Sequence, residues 1–223
     1  MILGKIVADP TTFILTEGET DDVFFARLID VRHIGSNFTI FHRPKDEPTG
    51  VGAFSRRLVA LKTETKRQKI KSIIIVGDND GNPAAAFHSI KQQVESVGGY
   101  NAPANPREIS ETGGLPAVSI LMLPWDNEPG CLETLCLRAV NQKYEKEMRC
   151  ATMQSECVGV GDWPIQKQSK MILRCLLSSV CKSEPNTPLT RAWSIDSGRP
   201  GDIFPLTNPA FDSIAEFLRG IAA

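Results

Sequence analysis

Two apolar, β-branched runs end in carboxylates, and they constrain this chain more than any other feature of it. Phe13-Ile14-Leu15-Thr16 leads into Glu17-Gly18-Glu19-Thr20-Asp21-Asp22, and Ser72-Ile73-Ile74-Ile75-Val76-Gly77 leads into Asp78-Asn79-Asp80. Short β-branched runs without polar alternation mark strands buried on both faces. Ligand sites of open α/β sheets lie beyond the carboxyl ends of such strands. If the two strands are neighbours, Glu17, Asp21, Asp78 and Asp80 meet at one edge. Two unit charges about 4 Å apart repel by roughly 4 kcal/mol at an effective dielectric near 20. Such a group needs a cation or bound protons, and hard divalent ions take carboxylate oxygen.

The rest of the chain alternates in the same manner. Strands are expected at residues 12–16, 38–41, 72–77 and 117–123, interleaved with helices at 20–32, 53–69 and 83–97. That alternation predicts an α/β fold with a mostly parallel four-stranded sheet flanked by helices. Helices at 133–150, 168–181 and 210–221 form a helical C-terminal portion. The chain thus divides into a core over residues 1–150 and a helical extension over 151–223, packed on the same domain. Thr20 is the expected N-cap of the first helix, with Asp21 and Asp22 at the positive end of its dipole. Residues 98–116, interrupted by Gly and Pro, read as a long irregular connection with room for a small hairpin or an active-site lid.

With 41% hydrophobic and 23% charged side chains over 223 residues, the composition is that of a folded chain, not a disordered one. No apolar run approaches the ~20 residues that span a bilayer. The N-terminus lacks the basic-then-apolar pattern of an export signal. A cytoplasmic location with no membrane partner is the expectation. The net charge of −1 removes any global basic field, although a local basic stripe can still serve nucleic acid opposite an acidic site. Cys131, Cys136, Cys150, Cys157, Cys175 and Cys181 show no Cys-x-x-Cys spacing and read as reduced, mostly buried thiols.

Within the first acidic cluster, Glu17 ends an apolar strand and has no capping duty there. Gly18 permits the turn, and Asp21 falls in the first turn of the helix, so both carboxylates can face the space above the sheet. Glu19 and Asp22 are expected to be solvated. Asp78-x-Asp80 puts two carboxylates on the same side of an extended strand end; the competing reading is an Asp-Asn-Asp-Gly turn. Glu133 opens a helix, where the dipole alone favours a carboxylate, and Asp126 and Glu128 are alternative candidates to it. Lys170, on a helix of mixed polarity, would ordinarily face solvent. Arg56, Arg57, Lys62, Lys66 and Lys69 are the candidate nucleic-acid contacts, with Lys62, Lys66 and Lys69 on one helical stripe. Phosphate contacts of that kind are salt-sensitive and blind to sequence, and a solvated helix face is their plainer role. His33, His42 and His88 show no metal-ligand spacing.

At Glu17, Asp21, Asp78 and Asp80 the chain resembles the TOPRIM fold, shared by topoisomerases, bacterial primases and OLD-type nucleases. The shared pattern is a glutamate closing the first strand, an acid four residues on, and Asp-x-Asp closing a later strand. The chain is most similar to stand-alone TOPRIM-like proteins related to the OLD nucleases. Those continue with a strand ending in Pro and then Gly-x-Leu-Glu, as in Leu123-Pro124 and Gly130-Cys131-Leu132-Glu133.

The resemblance implies a TOPRIM/Rossmann-like sheet and Mg²⁺- or Mn²⁺-dependent cleavage of phosphodiester bonds in nucleic acid, DNA first, with two ions. Asp78, Asp80 and Glu17 would hold one ion, and Asp21 and Glu133 a second, or position the attacking water. Lys170 would neutralise charge on the phosphate or leaving group, with Lys167 competing for that role. OLD-type proteins join this domain to an ATPase. No Gly-x4-Gly-Lys-[Ser/Thr] loop occurs here, so an ATPase would be a separate chain. Two rival expectations stand beside the nuclease. One is an accessory module that binds metal or nucleic acid without catalysis. The other is a haloacid dehalogenase-type phosphatase, which also uses Asp-x-Asp after a strand but leaves the first acidic cluster unexplained.

Overall fold

Side-chain alternation along adjacent parallel strands sorts the apolar residues onto the two faces of one sheet. The computed structural model describes residues 12–35, 37–41, 53–64, 70–193 and 202–222. Strands β1 (Thr12–Leu15), β2 (Phe38–Ile40), β3 (Ser72–Asp78), β4 (Ile109–Thr112) and β5 (Leu115–Leu123) lie in the order β2-β1-β3-β5-β4. β1 is parallel to β2 and β3, and β3 is parallel to β5. β4 pairs with β5 in the antiparallel sense. Helices α1 (Glu19–Val31), α2 (Phe54–Glu64), α3 (Pro83–Ser96), α4 (Leu132–Arg138), α5 (Glu145–Cys157), α6 (Ile165–Val180) and α7 (Asp212–Ala222) surround the sheet.

Ile14, Ile74, Val76, Leu121 and Leu123 face a core shared with Phe24 and Leu28 of α1, Leu135 of α4, Leu176 of α6 and Leu218 of α7. Phe13, Leu15, Ile73, Ile75, Ile120 and Met122 face the opposite way, onto Phe54 and Leu58 of α2 and Ile90 and Val94 of α3. Because both faces are covered, β1, β3 and β5 read as nearly unbroken apolar runs. The first core draws residues from both sides of position 150, and α5 itself runs across that position. Among the described residues no helix is long and apolar enough to cross a membrane.

The sheet has five strands where four were expected. β4 lies in the 98–116 connection, as one arm of a hairpin turned at Gly113-Gly114. It carries Ser110 and Glu111, and Ile109 is exposed, so no apolar alternation announced it. The expected helix over 133–150 is broken after Arg138: α4 ends, Asn141 accepts from the Lys143 amide to cap a single 3-10 turn over Gln142–Tyr144, and α5 follows. α1 begins one residue before Thr20, with Gly18 as its N-cap. α2 accounts for Phe54–Glu64 of the expected 53–69 helix, and residues 65–69 lie outside the described residues. All six cysteines are free; Cys131, Cys136 and Cys181 are buried, whereas Cys150 and Cys157 are exposed on α5.

Candidate metal centre

From β1 the chain steps outward to β2, and from β3 outward the other way to β5. The crevice outside the carboxyl ends at such a reversal is where open α/β sheets bind their ligands. Leu15 pairs with Ile75, so the residues that follow both strands emerge at the same edge. A cleft of about 230 Å³ opens there, lined by Glu17, Gly18, Thr20, Asp21, Asp78, Leu132, Glu133 and Lys170. Glu17, Asp21, Asp78, Glu133 and Lys170, far apart in the chain, therefore share one pocket.

Main-chain donors hold the carboxylates in place. Glu17 Oε1 accepts from the Asp78 amide at 3.2 Å, which ties the turn after β1 to the end of β3. Asp78 Oδ1 accepts from the Leu132 amide at 3.2 Å, which ties β3 to the start of α4. Thr134 and Ser169 share a buried hydroxyl hydrogen bond at 2.8 Å, fixing α6 and its Lys170 against α4 and its Glu133. Cys131, the N-cap residue of α4, joins this group unannounced. Ligand atoms of Asp78, Cys131 and Glu133 all lie within 4.8 Å of one another. The sign of it in the sequence was its place directly before Leu132-Glu133.

Burial and mutual repulsion dominate the electrostatics. Burial, reinforced by the charges of Glu17, Glu133 and Asp22, pushes the Asp21 carboxyl up from 3.8 to about 7. Burial, with Asp21, Glu17 and Glu133 nearby, raises Asp78 well above the ordinary carboxylate range, against the pull of Lys170. Glu17 is raised by burial, partly offset by its hydrogen bond from Asp78. Burial opposes the charge on Lys170, but Glu133 and the neighbouring acids outweigh it and raise its ammonium. The Cys131 thiol is pushed up to about 12, by burial first and by Glu133 and Asp78 next. The cleft concentrates negative charge beyond what Lys170 offsets.

Several sequence expectations need correction. Asp80 does not line the cleft: β3 ends at Asp78, and Asp80 has turned to φ +49, bridges to Gly130 and is exposed. Its charge nevertheless acts on both Glu17 and Lys170. Asp22 is not solvated but buried, and accepts from Thr16 Oγ1 at 2.6 Å. Asp126 and Glu128 are engaged elsewhere, with Arg107 and Arg138. Arg57 is no surface contact. It is buried, lies over the Phe54 ring and donates to the Thr16 carbonyl, bracing the end of β1. Arg56 is exposed on α2, and Lys62 donates to the Gly98 carbonyl beyond the end of α3, remote from the Asp78 end of that helix. Lys66 and Lys69 lie outside the described residues. Lys167 is exposed and is not among the cleft-lining residues, whereas Lys170 is.

Gly77 makes the close approach feasible. A Cβ there would overlap Ile90 Cδ1 and lie 3.3 Å from Glu17 Oε1. Gly77→Ala should therefore cost about 1–3 kcal/mol through overpacking, read as a lower urea midpoint. An unchanged midpoint would mean that Ile90 yields without strain.

The donor set suits a hard divalent cation. Four carboxylates face one cleft, and burial disfavours the charge of Glu17, Asp21 and Asp78. Glu17, Asp21, Asp78 and Glu133 line that cleft, and the ligand atoms of Asp78, Cys131 and Glu133 are near enough to one another to share one ion. A family model described as "Protein of unknown function (DUF3226)" matches residues 11–222. No curated protein matches the chain, and no solved structure does.

Proposed function

The chain belongs to the DUF3226 family, and we propose that it uses its carboxylate cleft to cleave phosphodiester bonds in nucleic acid with divalent metal ions. The observation that carries this reading is the convergence of Glu17, Asp21, Asp78 and Glu133 with Lys170 in one cleft at the sheet's switch point. The spacing of Glu17, Asp21 and Asp78, similar to that of TOPRIM and OLD-type nucleases, supports it and favours a TOPRIM/Rossmann-like reading of the sheet.

Glu17, Asp21, Asp78 and Glu133 would hold Mg²⁺ or Mn²⁺, two ions in the full reading, with Asp80 adding its charge from the rim. When bound, such ions lower the pKa of water and offset charge on phosphate oxygens. Asp21, which lines the cleft with Glu133, would hold the second ion with it or position the attacking water. The Lys170 ammonium faces the same space and would meet charge developing on the phosphate or the leaving oxygen. Leu132 lines the cleft and gives its amide to Asp78, while its side chain packs in the core behind. DNA is the first substrate to test, with a separate ATPase chain as the partner to look for. A phosphatase built on Asp78 and Asp80 alone leaves Glu17 and Asp21 without a task.

The test is a panel of plasmid, linear and single-stranded DNA and of RNA, with Mg²⁺, Mn²⁺ or EDTA. Metal-dependent cleavage lost in Glu17→Ala is the expected result. Protein that binds Mn²⁺ yet leaves every substrate intact would instead support the accessory, non-catalytic module. Hydrolysis of aryl phosphates without nucleic-acid cleavage would support the phosphatase.

A further inference from the structure

Asn79 stands between the two aspartates of Asp78-Asn79-Asp80 and is completely buried. Its Nδ2 donates to three main-chain carbonyls of the loop after β5: Trp125 at 3.0 Å, Asp126 at 2.9 Å and Glu128 at 2.8 Å. Two amide protons thus serve three acceptors. The Oδ1 of the same side chain is buried with no hydrogen-bond partner among the described residues. A buried acceptor left unsatisfied keeps its desolvation penalty with nothing to offset it. An apolar side chain would avoid that cost, so filling space does not account for this residue. The donors do.

The main chain on either side follows the same course. The Asn79 amide donates to the Leu123 carbonyl at 2.8 Å, and Asp80 and Gly130 exchange amide hydrogen bonds at 2.8 and 2.7 Å. The gripped loop ends at Gly130, immediately before Cys131, Leu132 and Glu133. Leu132 then returns its own amide to Asp78. Arg107 also touches this loop, over the Trp125 ring and at the Asp126 carboxylate, and Arg138 at the Glu128 carboxylate, neither through its carbonyls. The path from the end of β5 to Glu133 is therefore set from beneath by Asn79.

We infer that Asn79 is a positioning residue, whose amide holds the 125–128 loop on the end of β3 and thereby sets Glu133 beside Asp78 for a shared divalent ion. The inference rests on the metal reading above and adds to it the residue that builds the site. Asn79→Ala removes the donors, and Asn79→Leu removes them while keeping the branched shape.

Mn²⁺ binding by calorimetry in both variants, in Glu133→Gln and in Asn79→Ala/Glu133→Gln is the test. Both Asn79 variants should bind Mn²⁺ roughly 10–100-fold more weakly, the usual effect of losing an outer-shell partner. In the Glu133→Gln background, Asn79→Ala should add little, because the two losses act through one group. Tb³⁺ luminescence lifetimes in H₂O and D₂O should report extra coordinated water in Asn79→Ala, as in Glu133→Gln. A purely structural Asn79 would lower the melting temperature without either signature.

Wild-type affinity in both Asn79 variants, or fully additive losses in the double variant, overturns the role of Asn79 and leaves the metal reading standing. A wild type that binds no Mn²⁺ overturns both. Should the variants not fold, amide exchange in the wild type decides: the Asn79 side-chain NH₂ should exchange slowly, and rapid exchange overturns the role.

Discussion

Asp78→Asn should abolish Mg²⁺- or Mn²⁺-dependent cleavage and, in EDTA, should raise the melting temperature above that of the wild type. The two effects share one cause. The Asp78 carboxyl is pushed up by burial and by the charges of Asp21, Glu17 and Glu133, so in the metal-free protein at neutral pH its ionisation opposes folding. Asparagine keeps the shape and keeps an Oδ1 that can accept from the Leu132 amide, but removes the charge. Each kcal/mol of repulsion relieved raises the melting temperature by about 2–4 °C in a domain of this size. Loss of function with gain of stability is the signature of a site strained for its ligand. Thermal melts in EDTA beside the nuclease assay read both halves. A metal-free variant that melts below the wild type would show that the protein itself stabilises the Asp78 charge, and the metal reading would lose its physical basis.

The metal-free protein should also gain stability as the pH falls from about 8 to about 5, with that trend reversed by saturating Mn²⁺. Burial and neighbouring acids raise Asp21 from 3.8 to about 7, and raise Glu17 in the same direction. Between the unfolded and folded values, the folded chain binds more protons than the unfolded one, so stability falls as pH rises through that window. Below the unfolded value both states are protonated and the contribution levels off. Metal competes with those protons for the same oxygens, so its stabilisation grows with pH. Melting curves across this range in EDTA and in MnCl₂ measure the effect directly. A metal-free melting temperature that is flat or falls on acidification would count against the cleft as a reservoir of opposed charge.

What could be read from the chain, and what could not, follows from the range of the interactions involved. β1 and β3 were visible because a strand buried on both faces must be apolar throughout, and Glu17 and Asp78 were visible because each carboxylate interrupts such a run. β4 was not visible. It is an edge strand bearing Ser110 and Glu111, held by main-chain hydrogen bonds to β5 that leave no pattern in side chains. Asp22 and Arg57 looked like surface charges because their partners, Thr16 Oγ1 and the Thr16 carbonyl, lie on another element.

Local periodicity and strand-end carboxylates were thus enough to establish an α/β chain with an acidic edge, since alternation and apolar burial are written residue by residue. Folding settled which acids share the cleft: Glu133 enters it and Asp80 stays at the rim. Hydrogen bonds between distant segments make that choice, from Leu132 to Asp78 and from Asn79 to the 125–128 loop. No spacing within either segment encodes them.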